Sequence, residues 1–190
     1  MLLSREPTRM HGTESPSAWL QRWAHLIPAG ARVLDVACGA GRHMRYLSSL
    51  GHQVMGVDRN PEALDLARAF GSVTCADIEK GPWPFQGQTF DCVLVTHYLW
   101  RPLLPTIVAS VAPGGVLIYE TFASGNETVG KPSRPDFLLQ SGELLKVTDG
   151  LRTVAYEDGF EASPDRFMQR TVAVRAVPGE VPVRWALRTT

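Results

Sequence analysis

The chain has little of what marks an exported, membrane or nucleic-acid-binding protein. No uninterrupted apolar run approaches the roughly 20 residues that cross a bilayer, which excludes a membrane span of that kind. The N-terminus, MLLSREPTRM, carries charge where a signal peptide needs an apolar stretch, so no export signal is expected. There are only 3 cysteines, an odd number and too few for a disulfide framework, and a reduced, cytoplasmic protein is the expectation. Charge of one sign is not in excess: Lys plus Arg is 19, Asp plus Glu is 19, and the net charge is zero. A protein that holds nucleic acid by bulk positive charge is therefore excluded. No Gly-Lys-Ser or Gly-Lys-Thr occurs, so the phosphate loop of nucleotide triphosphatases is absent. What remains is ordinary globular composition, 44% hydrophobic and 20% charged over 190 residues, enough for one domain with one core.

Turn residues divide that domain into an alternating series. Residues 1–14 show no periodicity and read as a mobile arm, 15–177 as the domain, and 178–190 as a tail without a clear pattern. Ser15-Pro16 predicts a helix start, with Ser as the cap and Trp19, Leu20, Trp23, Leu26 and Ile27 at helical spacing behind it. Short apolar runs predict strands at 32–36, 53–57, 72–75, 90–96 and 116–121. Helices are expected at 41–50, at 61–70 with Asn60 as cap, and at 103–111. Such alternation implies an α/β fold with a parallel sheet covered by helices on both faces. Ala123 to Asp136 is rich in Gly, Ser, Asn and Pro and too long for a tight connection, so it is a candidate lid, as is the Trp19/Trp23 helix. A short helix at 141–147 capped by Ser141 follows. Two closing strands, 151–156 and 169–177, have no helix between them and should pair antiparallel at one edge.

The strongest chemical signal is VLDVACGAGR: a buried strand, an acid, a Gly-x-Gly turn and a helix start. Gly39 and Gly41 let a ligand approach the backbone, and the new helix offers free N–H groups there. The next strand ends in Asp58, 19 positions after Gly39, where a carboxylate grips ribose hydroxyls. Asp77, after the third strand, is placed to accept from an adenine amino group, with Ile78 against the ring. Asp35, Asp58 and Asp77 thus fall at the C-terminal ends of adjacent strands, where open α/β sheets bind ligands. A dinucleotide fingerprint would need a third glycine three positions after Gly41, and Met44 stands there.

The stretches VLDVACGAGRH, GVDRN, ADIE, FDCVLVTHYL and APGGVLIYETF, in this order, make the chain resemble the class I S-adenosylmethionine-dependent methyltransferases. The later region GNETVGKPSRPDFLLQSGELL with VAYED is similar to small bacterial methyltransferases of the tellurite-resistance type. The resemblance implies a Rossmann-like, seven-stranded, mostly parallel sheet with the last strand antiparallel. It implies S-adenosylmethionine as cofactor. Asp35 and the turn from Ala37 through Gly39 to Gly41 would contact its methionine end, Asp58 and Arg59 its ribose side, and Asp77 and Ile78 its adenine. Thr96, His97 and Tyr98 would border the transferred methyl group.

His97 is the candidate base, since imidazole titrates near ~6.5, and Tyr98 is a candidate to face the sulfonium with its ring. Arg101 and Arg134 are candidates to hold an anionic acceptor, and Glu120 lies on the same rim. Cys38 and Cys92 read as small packing residues, and no metal site is expected. After the fourth strand comes Thr96-His97-Tyr98-Leu99, without the proline run of nucleic-acid amino-methyltransferases, and no Pro-Cys pair offers a cytosine nucleophile. A small-molecule acceptor is expected and nucleic acid is not. A non-catalytic cofactor-binding protein and a nicotinamide-dependent oxidoreductase remain the alternatives.

Overall fold

Apolar residues that alternate along each strand leave two faces to cover, and the chain covers each with a different set of elements. The computed structural model describes residues 14–177, 179 and 184–187. Seven strands form one sheet: β1 (Arg32–Val36), β2 (Gln53–Asp58), β3 (Ser72–Cys75), β4 (Phe90–Thr96), β5 (Val111–Phe122), β6 (Arg152–Glu161) and β7 (Arg166–Val174). Their order is β3-β2-β1-β4-β5-β7-β6, with the first five parallel and β7 antiparallel to both neighbours. The order reverses between β1 and β4, which opens a crevice above their C-terminal ends.

On one face α1 (Ala18–Trp23), α2 (Arg42–Ser49) and α3 (Pro61–Ala67) pack over Val33, Leu94 and Ile118. On the other, α4 (Leu104–Ala109) and α5 (Glu143–Val147) cover Leu34, Val93 and Leu117. Each such side chain, fully buried, contributes roughly 1.5–3 kcal/mol. Helix does not follow β3. The connection to β4 covers the sheet with Trp83 and Phe85 instead, whose rings meet edge to face at 5.3 Å, and Phe85 meets Phe90 in the same way at 5.7 Å.

Several boundaries differ from the sequence expectations. The first helix is capped by Ser17, not Ser15, because Ser17 Oγ is the oxygen that accepts from Leu20 N, at 3.2 Å. Trp19 and Trp23 are 4% and 3% exposed, so that helix is core and no lid. The helix expected to 111 stops at Ala109, since Val111 already pairs with Phe90, and the Pro113-Gly114-Gly115 turn becomes a bulge inside β5. Gly142, at φ +71°, opens α5, while Ser141 Oγ bonds the Asp158 carboxylate at 3.1 Å. The strand expected at 151–156 runs on to Glu161, the one expected at 169–177 lies three residues earlier with the same length, and β7 threads between β5 and β6. The polar run Glu157-Asp158-Gly159 concealed that length. Of the arm, residues 1–13 lie outside the described residues; Glu14 is tied to Arg42 and Arg45. Within the tail, Trp185 packs on the first core cluster and a His25 ring nitrogen meets Ala186 O at 2.9 Å.

Met44, where a dinucleotide fold would have glycine, is fully buried. Its room comes from Gly56 on β2, where a Cβ would lie 2.6 Å from both Met44 Sδ and Cys38 Sγ. Gly56→Ala is therefore expected to cost about 1–3 kcal/mol, as overpacking does, and Met44→Ala in the same chain to recover part of it. Urea unfolding of the single and double variants checks this; a Gly56→Ala protein as stable as wild type would refute it.

Candidate active site

The site is built where β1 meets α2. Ala37, Gly39 and Gly41 hold φ of +57°, +53° and +79°, an alternation that turns the chain sharply into the helix. Gly41 is needed for a second reason: a Cβ there would lie 2.9 Å from Ala67 Cα, so α3 could not approach. A Cβ on Gly39 would meet nothing within 4 Å, so open space lies over the turn.

Asp58 braces this turn from the end of β2. Its Oδ2 accepts from Gly39 N and its Oδ1 from Asn60 N, both at 2.9 Å. Asp77 Oδ1 accepts from the N–H groups of Glu79 and Lys80 at 3.0 and 3.2 Å and shapes the loop after β3. Asp58, Arg59, Asp77, Ile78 and Tyr98 line a cavity of about 120 Å³ beside Ala37. On the other side of Ala37, Cys38, Gly39, Arg42, His43, Thr96 and His97 line a second cavity of about 230 Å³, with Glu14 at its edge. Ala37 borders both, so the two meet across the turn.

Asp35 lies beneath the turn with no exposed surface, and neither carboxylate oxygen has a hydrogen-bond partner among the described residues. Burial pushes its pKa up to about 8; Arg42 pulls it down and Asp58 adds to the rise. A buried acid in this condition gains from a cation brought close to it.

His97 and Tyr98, expected on one rim, part company. His97 stands in the left-handed region at φ +53°, its N–H bonded to Glu120 O at 2.9 Å and its ring 5.0 Å from that of Phe122. The surrounding protein lowers its pKa although the ring is exposed to the cleft; Glu120 opposes that shift, and Arg42, Arg166 and Arg170 reinforce it. The imidazole is thus neutral near pH 7, the form a base requires. Tyr98 turns instead to the Asp58–Asp77 cavity, its hydroxyl buried without a partner among the described residues and its pKa raised by burial and by Glu79 and Asp77.

The three expected acceptor-binding residues are committed elsewhere. Arg101 forks onto Glu143, Nε to Oε1 at 2.8 Å and Nη2 to Oε2 at 3.0 Å, and also donates to the carbonyls of Asp136 and Leu138. It fastens the 123–139 loop to α5. Glu120, 4% exposed, accepts from Arg170 Nε at 3.1 Å, and Arg170 also binds Glu157 and Glu161. Arg134 is a surface residue, paired with Asp136 at 2.8 Å and lying over the Phe137 ring. The loop itself is pinned by buried Asn126, which donates to Pro132 O and accepts from Phe167 N. Arg101→Ala is expected to cost about 1–2 kcal/mol of stability, from the lost charged hydrogen bonds of a partly exposed pair, while cofactor affinity stays within twofold. Calorimetry on the folded variant separates the two; a large loss of affinity with stability intact would return Arg101 to the site.

Sequence reasoning missed His43 and Glu14. His43 is 2% exposed, with Nδ1 3.3 Å from Thr96 Oγ1 and Nε2 without a partner among the described residues. Burial, with Arg42 and His97 beside it, lowers its pKa to about 3. Its one sequence signal is its place second in the helix that leaves the glycine turn. Glu14 pairs with Arg42 at 3.4 Å.

The sequence pattern of the methyltransferase domain family matches residues 33–115, from β1 into β5. The demethylmenaquinone methyltransferase of Tropheryma whipplei (strain Twist) is 34% identical over 183 residues, which cover 85% of this chain and 76% of that protein. The chain belongs to the S-adenosylmethionine-dependent methyltransferases. The chain is also similar to the ubiquinone biosynthesis O-methyltransferase of Xanthomonas axonopodis pv. citri (strain 306), 51% identical over 109 residues, 52% of this chain and 46% of that protein. The chain spans about half the length of several of these curated relatives. A bovine 18S rRNA (guanine-N(7))-methyltransferase matches over 72 residues at 39% identity, 36% of this chain and 25% of that protein, so the relatives do not support the expected exclusion of nucleic acid. In structure, TehB of Haemophilus influenzae superposes with a TM-score of 0.65 at 20% identity, over 80% of this chain and 60% of that one. A TehB-like methyltransferase of Corynebacterium glutamicum gives 0.59 at 23% identity, over 82% and 86%. These two share the chain's fold.

The cofactor of this family is S-adenosylmethionine, and the residues present suit it. The orphaned Asp35 acid suits an ammonium group, the open space over Gly39 suits close backbone approach, and Asp58 and Asp77 suit hydroxyl and amino donors. Among the described residues no helix is long and apolar enough to cross a membrane.

Proposed function

We infer that the chain methylates a small-molecule acceptor, with the cofactor lying across the glycine turn and the acceptor entering beside His97. The observation that carries this reading is the pair of cavities that meet at Ala37, one acidic and lined by Asp58 and Asp77, the other lined by Arg42, His43, Thr96 and His97. In this reading Asp58 and Arg59 hold the ribose, and Asp77 with Ile78 holds the adenine. Tyr98 lines that same adenosine cavity and is not a catalytic group. Asp35, Ala37, Gly39 and Gly41 hold the methionine end.

S-adenosylmethionine, when bound, supplies a methyl group made electrophilic by a cationic sulfur. The protein's own part is alignment, worth up to roughly 7–11 kcal/mol in favourable model systems. His97 takes the proton of an acceptor that arrives protonated. The Arg42 N–H donates to His97 Nδ1 at 3.4 Å, so that bond must open before the lone pair of this nitrogen takes the proton. The second cavity, about 230 Å³, suits a small ligand better than a splayed nucleotide chain.

The test is turnover. The purified chain is incubated with S-adenosylmethionine and a small-molecule extract passed through a filter that removes nucleic acid, and S-adenosylhomocysteine is measured. Formation that depends on the filtrate, and that falls at least tenfold in His97→Ala, supports the reading. Formation only with the retained RNA fraction would overturn the small-molecule acceptor.

A further inference from the structure

Arg42 is the one Lys or Arg among the described residues that line the second cavity. Its Nη1 meets Glu14 Oε2 at 3.4 Å, and its Nη2 lies 3.4 Å from His97 Nδ1. Glu14 and His97 line the same cavity, so the guanidinium stands in its wall. The Glu14 contact is a loose one, since a well-made hydrogen bond between charged groups is about 2.7–2.9 Å long. The two side chains are also 22% and 40% exposed, so water screens the pair. Glu14 is held a second time, by its backbone: its carbonyl accepts from Arg45 Nη2 at 3.1 Å. The carboxylate is therefore free to leave Arg42 without the main chain letting go.

The methionine end of the cofactor carries an ammonium and a carboxylate on one carbon. Asp35 beneath the turn suits the ammonium, and a partner for the carboxylate must lie close to that acid. Arg42 does: it is near enough to Asp35 to pull that acid's pKa down. Arg42 also opens α2, whose first turn has no side-chain cap, so the N–H groups there add to the same positive potential. Arg59, the other arginine of the cleft, stands on the far side of Ala37, in the cavity lined by Asp58, Asp77 and Glu79.

We propose that Glu14 is a stand-in ligand: its carboxylate occupies the place on Arg42 that the carboxylate of the cofactor's methionine end takes, and cofactor binding exchanges one for the other. This deepens, and rests on, the cofactor placement given above. No covalent bond changes. One ion pair on a guanidinium is replaced by another, and the Glu14 carboxylate passes into water. Because the Glu14 pair is loose and screened while a bound ligand's carboxylate is held by the surrounding site, the exchange runs toward the ligand. Breaking the Glu14–Arg42 pair is a cost met only by a ligand that has a carboxylate to put there. Glu14 therefore sets the affinity for the amino-acid end and leaves the affinity for the nucleoside alone.

The experiment is calorimetric titration of the full chain at pH 8 with two probes. S-adenosylhomocysteine carries the amino-acid end; 5′-methylthioadenosine keeps the nucleoside and lacks that end. Glu14→Gln, which removes the competing charge, is expected to strengthen S-adenosylhomocysteine binding about two- to fivefold, as the loss of an exposed ion pair allows, with 5′-methylthioadenosine within about twofold of wild type. Arg42→Met is expected to weaken S-adenosylhomocysteine about tenfold and again to leave 5′-methylthioadenosine within about twofold. In the Arg42→Met background, Glu14→Gln is expected to change neither affinity, because nothing remains to compete for. If Arg42→Met does not fold, Glu14→Gln decides alone, its side chain being 40% exposed and removable without disturbing the core. A Glu14→Gln protein that binds S-adenosylhomocysteine no better than wild type, or that gains equally for both probes, overturns the proposal, and so does an Arg42→Met protein that loses equally for both. Failure of both probes to bind wild type would strike the cofactor placement itself, and the proposal with it.

Discussion

Asp58→Ala is expected to weaken S-adenosylmethionine binding by about 10- to 150-fold. That range corresponds to about 1.5–3 kcal/mol for hydrogen bonds made to a charged group. The effect has two sources that can be measured apart. In the proposed site the carboxylate accepts from ribose hydroxyls. It also accepts from Gly39 N and Asn60 N, and so holds the glycine turn against the start of α3. Asp58→Asn keeps one carbonyl oxygen for the turn but loses the charge, and is expected to fall between wild type and alanine. Calorimetric titration gives the affinities, and thermal unfolding of the unliganded variants gives the cost to the turn. If Asp58→Ala loses stability but binds S-adenosylmethionine with wild-type affinity, Asp58 is a brace and the ribose is held elsewhere.

The second large effect is a pH dependence set by Asp35. In the free protein its pKa is raised to about 8 by burial, so at pH 6 it is protonated. An ammonium group placed against it would favour the ionised form, and binding would then release a proton. Affinity is therefore expected to rise with pH by up to about tenfold per unit and to level off near pH 8. Asp35→Asn should abolish that slope and bind more weakly than wild type at pH 8. Calorimetry in two buffers of different ionisation enthalpy counts the proton directly, and a wild-type affinity that is flat from pH 6 to 8 would remove Asp35 from the methionine end.

Stability follows the opposite sense. The native pKa lies above the unfolded value of 3.8, so the contribution of Asp35 is fully present below pH 3.8 and is lost as pH rises toward about 8. The unliganded Asp35→Asn protein should accordingly gain on wild type steadily between pH 4 and pH 8. Urea midpoints across that interval test it. Both results express one physical fact: the fold keeps a carboxyl group buried beneath the glycine turn, without a hydrogen-bond partner among the described residues.

Much of this site was legible before any coordinates. Asp35, Gly39 and Gly41 lie along the β1-to-α2 segment, Asp58 ends β2, and Asp77 follows β3 by two residues in the same sheet. Strand ends, turns and caps are local events, governed by backbone conformation and by the nearest few residues. Asn60 illustrates this: its side chain accepts from Glu62 N and Ala63 N, as an N-cap should, and α3 begins where the sequence places it. The same holds for β1, β3 and β4, whose bounds match the apolar runs.

The rim of the cleft was not legible in that way. Arg101, Glu120 and Arg134 all carry charge at the right end of the sheet, and nothing nearby in the chain shows whether that charge is free. Arg101 is occupied by Glu143, 42 residues on, and Glu120 by Arg170, 50 residues on. Arg170 reaches Glu120 because β7 pairs beside β5, and Glu143 reaches Arg101 from the start of α5. Tyr98 and His97 are adjacent in sequence, yet the positive φ of His97 sends one to each cavity. His43 reads in sequence as one more polar residue on an amphipathic helix, and only packing shows that it is buried, with one nitrogen unpartnered among the described residues.

The sequence by itself therefore determined the sheet, the glycine turn and the three acids at its strand ends, because each follows from short-range backbone geometry and hydrophobic alternation. The tertiary structure alone decided which charged groups are neutralised, which imidazoles are kept neutral and which buried polar groups have no partner among the described residues. Those properties depend on desolvation and on partners brought together from distant parts of the chain.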